Sequence, residues 1–407
     1  MDLLVIVVLV IAVALFFDFT NGFHDTANAM ATPIATGAIK PKVAVGLAAV
    51  LNLVGAFLST EVAKTISGNL LNEGSGGVSI TPAFIFAGLL GAVLWNMLTW
   101  MLGLPSSSSH ALFGGLIGAA VVGAGFGVVN YSVLFSNVII PALLAPLVAG
   151  FVAFVCTLVA YAITQRTAES GDNLPNRRGG FRHAQIFSSS LVALAHGTND
   201  AQKTMGVITL VLISGGYQAA GTGPQFWVIS ACALAIALGT YSGGWRIIKT
   251  LGTGLTEVKP AQGFAAETST AAAILASSHL GFALSTTQVA SGSVIGSGLG
   301  RPGAVVRWRL AGRMALGWLF TLPAAAMVGA IAALIAQLGL TGLIIDAVLG
   351  TAGVLAIFLY SRRSKGHDIA GVAEVEAAAD IVKRAGRGGR ARTEPAVPSE
   401  AKVGGSK

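Results

Sequence analysis

The sequence predicts an all-α polytopic membrane protein of about 10–12 transmembrane segments, arranged as an inverted-topology repeat with broken helices or hairpins. The 407 residues are 54% hydrophobic and 10% charged, whereas soluble chains average about 25% charged residues. Apolar stretches of bilayer-crossing length, about 20 residues, recur along most of the chain. Within them, two polar motifs each occur twice at nearly constant spacing.

The apolar stretches define the order of the predicted segments. They lie near 3–39, 43–62, 83–103, 107–128, 134–164, 186–213, 226–246, 264–281, 285–300, 308–337 and 340–360. The first stretch is far longer than a core of roughly 30 Å requires at about 1.5 Å per residue. Gly22, the polar residues after it and Pro33 therefore predict two half-helices with a break between them. The stretches at 107 and 285 open with hydroxyl residues and are expected to begin as half-helices or re-entrant hairpins.

Basic residues predict the orientation of these segments. Placing the Lys and Arg clusters in the cytoplasm gives eleven crossings with the N-terminus outside. The two halves then run in opposite directions, related by a pseudo-two-fold axis in the membrane plane. The predicted divisions are a first repeat at 1–164, a cytoplasmic linker at 165–185, a second repeat at 186–337, an additional transmembrane helix at 338–363 and a basic disordered cytoplasmic tail at 364–407.

The first repeated motif places carboxylates and amides inside apolar sequence. Residues 21–30 read NGFHDTANAM and residues 196–205 read HGTNDAQKTM, so that Asp25 aligns with Asp200. Such groups are expensive in hydrocarbon and are retained there mainly to handle polar cargo. Their duplication disfavours a purely structural role and points to a transporter with two halves around one shared site.

The second repeated motif supplies hydroxyl groups. Residues 104–110 read LPSSSSH and residues 284–288 read LSTTQ. Hydroxyl runs often bond only to nearby backbone, but here the run is repeated. Together with free N–H groups at helix N-termini, these hydroxyls suit a tetrahedral oxyanion. Lys203 can add a positive charge, while Asp25 and Asp200 suit a cation or proton that travels with the anion. The combination predicts symport of an anion with cations.

These motifs resemble those of a known family. The segments GFHDTAN at 22–28 and GTND at 197–200 resemble the paired G-x-N-D motif of the inorganic phosphate transporter (PiT) family. The segments 104–110 and 284–288 match its second repeated element. The resemblance runs from about residue 10 to 360 and is closest to the bacterial low-affinity phosphate transporters. It implies import of inorganic phosphate across the plasma membrane by alternating access, coupled to a cation, with no enzymatic activity and no cofactor or resident metal.

The resemblance also implies roles for individual residues. The residues expected to bind phosphate are Asp25, Asn28, Ser107, Ser108, Ser109, Asp200, Lys203, Thr204, Ser285, Thr286 and Thr287. The residues expected to bind the coupling cation or proton are His24, Asp25, His110, Asn199, Asp200, Glu267 and Gln288. Glu267 is included because it matches an acidic position that family members need for transport. His24 and His110 are interpreted equally well as packing residues.

The coupling ion is the point on which this sequence departs from its relatives. His24 stands where many sodium-coupled members carry Asn, and Lys203 stands where the first motif has Asn28. An amide oxygen can ligate sodium, whereas an imidazole titrates near neutral pH. We therefore expect proton coupling, with sodium as the alternative. The likeness to bacterial low-affinity members further implies that phosphate travels largely as a neutral metal-phosphate complex.

The same residues leave alternative functions open. Sulfate and arsenate are alternative oxyanions, but sulfate is a dianion at neutral pH and cannot share a proton with Asp25 or Asp200. A membrane phosphatase is a remote alternative: residues 105–110 faintly resemble a lipid-phosphatase element, but Arg301-Pro302 lacks the upstream Lys.

The net charge of +8 is explained by basic loops and the tail, so no nucleic-acid partner is expected. The expected partners are phosphate, the coupling cation and the bilayer. A homodimer is compatible with the sequence, which does not determine the oligomeric state.

Overall fold

The computed structural model describes residues 3–69, 80–166 and 180–363, and these residues form fourteen α-helices and no β-strand. In chain order the helices are α1 Leu3–Ala35, α2 Pro41–Gly55, α3 Glu61–Asn69, α4 Pro82–Met101, α5 Ser108–Ala124, α6 Tyr131–Val133, α7 Ile140–Arg166, α8 Gly180–Ser214, α9 Phe226–Ser242, α10 Trp245–Lys249, α11 Pro260–His279, α12 Thr286–Leu299, α13 Trp308–Ala336 and α14 Leu340–Arg363. A 3-10 turn, Phe126–Val128, precedes α6, and π-helical segments Leu134–Ile139 and Thr250–Gly254 follow α6 and α10. The predicted tail and most of the predicted linker lie outside the described residues.

The helices include membrane-spanning candidates, as the composition predicts. Helices α1, α4, α13 and α14 and the run Tyr131–Ile163 are long and apolar enough to cross a membrane. A sixth candidate is α9 with Trp245–Gly254, bent by 62° between its two parts. Helices α8 and α11 are long enough but more polar. The all-α membrane fold is therefore confirmed, and the count of eleven crossings stays a prediction.

The predicted break in the first long stretch is wrong. Helix α1 runs without interruption from Leu3 to Ala35, and the equivalent helix α8 begins at Gly180, inside the predicted linker, and runs to Ser214. Gly22 instead allows α1 to pack closely against α9, because a Cβ there would lie 2.3 Å from the Ile236 carbonyl oxygen of α9. Pro33 lies in the last turn, where the helix is already ending.

Helices of each half pack against helices of the other half. Helix α1 packs against α9 while its equivalent α8 packs against α2. In the same way, α5 packs against α13 and α12 packs against α7. The glycine contacts repeat as well, since a Cβ on Gly197 would lie 2.2 Å from the Asn52 carbonyl oxygen of α2. Equivalent helix pairs of this kind are expected when two halves are related by a pseudo-two-fold axis. The inverted orientation and the domain boundaries remain predictions.

The two hydroxyl motifs lie at the turns of two helical hairpins. Helices α4 and α5 form the first and α11 and α12 the second, with Gly103 and Gly281 at positive φ in the connections. Ser107 is the N-cap of α5 and accepts a hydrogen bond from the His110 N–H at 3.2 Å. Ser285 caps α12 in the same way. The helices therefore begin at the hydroxyl runs, as predicted, with their N-terminal ends buried.

Candidate functional site

The four repeated segments meet at one buried site. Helices α1 and α8 contribute Asp25 and Asp200, and the N-terminal ends of α5 and α12 contribute Ser108 and Thr286. All four side chains are at most 2% exposed. The predicted convergence of the two motifs, one pair from each half, is thus present in the structure.

Asp25 is held by groups from both halves. Its carboxylate accepts hydrogen bonds from Ser108 at 3.2 Å, Thr286 at 3.3 Å and Thr287 at 3.1 Å. The Nδ1 atom of His24 lies 2.6 Å from the Oδ1 atom of Asp25. Two of these hydroxyls come from the second half, so the Asp25 carboxylate connects the repeats.

Asp200 is surrounded by positive and amide groups. The Lys203 ammonium forms an ion pair with its Oδ1 atom, to which the Asn199 amide also donates at 3.0 Å. The Oδ2 atom accepts a hydrogen bond from Thr286 at 3.1 Å, so this one hydroxyl contacts both carboxylates. Asp200 is fully buried, and its ion pair offsets the desolvation of the charge.

Lys203 places a positive charge beside the first hydroxyl run. Its ammonium donates to the Ser109 hydroxyl at 2.6 Å and to the Leu284 carbonyl at 3.0 Å. Asn28, at the equivalent position of the first half, donates to Thr286 at 3.2 Å and Thr287 at 3.1 Å. The ammonium, amide and hydroxyl donors give the site the chemistry of an oxyanion receptor.

His196 is a site residue that sequence reasoning missed. Its Nε2 atom lies 2.9 Å from Asp200 Oδ2 and 4.0 Å from Asp25 Oδ2, between the two carboxylates. The available signal was its spacing, because residues i and i+4 share a helix face. Ligand atoms of Asp25, His196 and Asp200 all lie within 4.8 Å of one another, so these residues could hold a cation.

Other predicted site residues lie at the edges of this cluster. His110 Nδ1 and Gln288 Nε2 are 3.5 Å apart and connect the N-terminal turns of α5 and α12. Ser107 and Ser285 act as helix caps, because their side-chain oxygens accept hydrogen bonds from the backbone N–H groups of His110 and Gln288. Thr204 of α8 is buried beside Asp18 of α1.

Glu267 belongs to a second polar cluster. Its carboxylate accepts hydrogen bonds from Thr32 at 2.6 Å, Gln185 at 3.0 Å and Ser188 at 2.5 Å. A pocket joins this cluster to Asn28 of the first site. Its lining consists of Ala27, Asn28, Ala31, Thr32, Leu251, Ala266, Glu267, Thr270, Ala290 and Val294. Glu267 therefore shares a pocket with Asn28 but lies outside the carboxylate site.

Comparison with known proteins identifies the family. The model of the phosphate transporter family (PHO4) matches residues 21–329, a range that contains both motif pairs. The chain belongs to this family. A "Probable low-affinity inorganic phosphate transporter" of Mycobacterium leprae is 55% identical over 365 residues, which cover 89% of this chain and 86% of that protein. A Bacillus subtilis protein of the same name is 42% identical over 330 residues, or 81% of this chain and 97% of that protein.

A solved structure has the same fold. The structure titled "The sodium-dependent phosphate transporter" matches with a TM-score of 0.72 at 21% identity, covering 83% of this chain and 100% of that one. At this identity the likeness supports the architecture alone. Family and relatives together establish the chain as a multi-pass membrane transporter of phosphate and not an enzyme, which confirms the resemblance and removes the phosphatase alternative.

Glu267→Gln is expected to lower phosphate uptake by the transporter at least about tenfold. The substitution replaces one carboxyl oxygen by an NH2 group, which cannot accept, so at least one of the three donors loses its partner. A buried donor left without a partner costs about 1–3 kcal/mol. The measurement is the initial rate of radiolabelled phosphate uptake, normalised to protein in the membrane. Thr268→Val is the matched control, because Thr268 is the next residue, is exposed and bonds only to the Phe264 carbonyl. Equal rates in the two variants would place Glu267 outside the transport mechanism.

Proposed function

We propose that this transporter imports inorganic phosphate by secondary active transport coupled to protons, through alternating access. The supporting observation is the pairing of each site carboxylate with an imidazole. His24 lies 2.6 Å from Asp25, and His196 lies 2.9 Å from Asp200. Imidazoles gain and lose protons near neutral pH, whereas sodium binding depends on oxygen ligands. Both carboxylates therefore sit beside groups suited to proton chemistry.

The hydrogen bonds of the site suggest how protons and phosphate are coupled. The donors that an oxyanion needs are bound to carboxylates: Ser108, Thr286 and Thr287 to Asp25, and Lys203 to Asp200. Protonating the carboxylates weakens their hold on these donors, because the acceptor charge is lost. The hydroxyls and the ammonium then become available to phosphate. Phosphate binding and proton binding thus favour each other.

The same site fits two further proposals, transport of a metal-phosphate complex and coupling to sodium instead of protons. The grouping of Asp25, His196 and Asp200 could bind a divalent cation that accompanies phosphate, which would reduce the charge of the cargo. The same grouping is the observation that favours sodium. We prefer the proton, because each site carboxylate lies beside an imidazole, a group that takes up protons near neutral pH.

Phosphate uptake in proteoliposomes tests this proposal, with proton, sodium and magnesium gradients imposed separately. An inward proton gradient is expected to drive accumulation without sodium. Magnesium taken up in proportion to phosphate would support the metal-phosphate complex. Arsenate is expected to compete and sulfate is not, because sulfate remains a dianion. Accumulation that requires sodium and ignores the proton gradient would overturn proton coupling.

His24→Asn is expected to flatten the pH dependence of uptake. Wild-type uptake should fall as the external pH rises, because fewer protons are available to travel with phosphate. Asparagine cannot take up a proton beside Asp25, so the part of this dependence that passes through residue 24 should be absent. The measurement is initial uptake from about pH 5 to 8 at constant phosphate. His183→Asn is the control, since His183 is an exposed histidine near the start of α8. An unchanged pH profile in His24→Asn would exclude this imidazole from coupling.

A further inference from the structure

Asp18 is a buried carboxyl group that lies outside both repeated motifs. It is 0% exposed and precedes Asp25 by seven residues on α1. This spacing is two helical turns, about 10 Å along the axis, and keeps both residues on one face. The equivalent position in the second half is Ala193, so the carboxyl belongs to the first half alone.

Asp18 lacks the partners that stabilise the site carboxylates. Among the described residues it forms no ion pair, and its carboxyl oxygens accept none of the close hydrogen bonds that hold Asp25 and Asp200. The Thr204 hydroxyl of α8 lies beside it, and the Asn21 amide lies one turn further along α1. All three side chains are at most 1% exposed. This part of the α1–α8 interface is therefore polar and buried, in contrast to the closely bonded cluster around Asp25.

The charged groups that face Asp18 come from the neighbouring helices. Helix α8 presents Asp200 and Lys203, and helix α9 presents the Cys232 thiol. Helix α4, which also packs against α1, carries no titratable side chain. The Lys203 ammonium is held by Asp200, Ser109 and a backbone carbonyl. The positive charge near Asp18 is thus already neutralised by Asp200.

These surroundings make the charge state of Asp18 sensitive to the cargo. A buried carboxylate with a hydroxyl beside it but no ion pair is unfavourable, and a proton on it removes the charge. An anion that binds at Lys203 adds negative charge close to Asp18 and makes its ionised form less favourable still. Departure of the anion has the opposite effect. The proton and the anion therefore interact through Lys203 without touching each other.

We propose that Asp18 carries a proton that travels with phosphate, an inference that rests on the proton coupling proposed above. The proton comes from the outer solution, forms an O–H bond with one carboxyl oxygen of Asp18 and returns to water on the inner side after phosphate has left. Because binding couplings are reciprocal, phosphate at Lys203 and the proton on Asp18 each strengthen the binding of the other. Asp18 thereby acts as a coupling residue outside the phosphate site.

Asp18→Asn separates coupling from phosphate movement, because asparagine resembles the protonated acid in shape and charge. Two measurements are made in proteoliposomes. The first is exchange of radiolabelled for unlabelled phosphate without a gradient, and the second is accumulation driven by an inward proton gradient. The variant is expected to retain exchange, while its accumulation falls to the equilibrium ratio. Asp18→Glu, which keeps a titratable carboxyl, is expected to restore accumulation.

The controls distinguish failure of this inference from failure of proton coupling. Asp346→Asn removes another buried carboxyl, on α14, which packs against α4 and α13, and should accumulate phosphate normally. If the wild-type protein ignores a proton gradient, proton coupling itself is wrong. If the wild type responds and Asp18→Asn accumulates equally, only the role of Asp18 is overturned. Loss of exchange in Asp18→Asn without rescue by Asp18→Glu, or loss of a sodium-driven component alone, would also overturn it.

Discussion

Asp25→Asn and Asp200→Asn are each expected to abolish phosphate uptake while the protein still reaches the membrane. Asparagine at 200 leaves the buried Lys203 ammonium without its carboxylate partner. Removing one member of a buried ion pair costs about 3–5 kcal/mol, which corresponds to at least about a hundredfold in an equilibrium. Asparagine at 25 weakens the acceptor that holds Ser108 and Thr287 and removes the charge beside His24.

Initial uptake rates and the amount of protein in the membrane are measured together for these variants. Asp346→Asn is the control here too, because it removes a buried carboxyl from a helix that lacks the repeated motifs. The control is expected to transport at the wild-type rate. Normal uptake by either Asp25→Asn or Asp200→Asn would remove that carboxylate from the mechanism.

Gly22→Ala and Gly197→Ala are expected to destabilise the transporter and to reduce uptake severely. A Cβ at Gly22 would lie 2.3 Å from the Ile236 carbonyl oxygen, and one at Gly197 would lie 2.2 Å from the Asn52 carbonyl oxygen. The obstructing atoms are backbone, so whole helices must separate. Overpacking typically costs about 1–3 kcal/mol, and a backbone obstacle places these variants at the upper end. The displaced helices are α1 and α8, which carry both carboxylates.

Thermal unfolding of the purified variants measures this effect. Gly46→Ala on α2 is the control, because a Cβ there meets no atom within 4 Å. The control should match or exceed the wild type, since alanine is favoured over glycine within a helix by about 1 kcal/mol. A midpoint for Gly22→Ala equal to that of Gly46→Ala would contradict the close packing of α1 against α9.

Much of this arrangement could be predicted from the sequence because the chain repeats its polar motifs. The alignment of Asp25 with Asp200 predicted one site shared by two halves, and the structure brings both carboxylates to the same hydroxyl of Thr286. The hydroxyl runs also predicted where α5 and α12 begin. Serine acts locally as a helix cap, so its effect can be inferred without knowing the neighbouring helices.

What could not be predicted depends on contacts between distant segments. Gly22 fits a helix break as well as a close helix contact, and only the position of α9 decides between them. The role of His196 requires knowing that α1 and α8 pack side by side. Gln185 was assigned to the linker, yet it lies buried in α8 and donates to Glu267. In each case the missing information is a tertiary contact.

The number of phosphates bound per chain tests the central idea, that the two halves form one phosphate site. Equilibrium binding of radiolabelled phosphate to the purified transporter should give one phosphate per chain. Ser108→Ala in the first half and Thr286→Val in the second should each weaken that same site, because both hydroxyls contact Asp25. Two phosphates per chain, or a variant that weakens only half of the binding, would contradict a shared site.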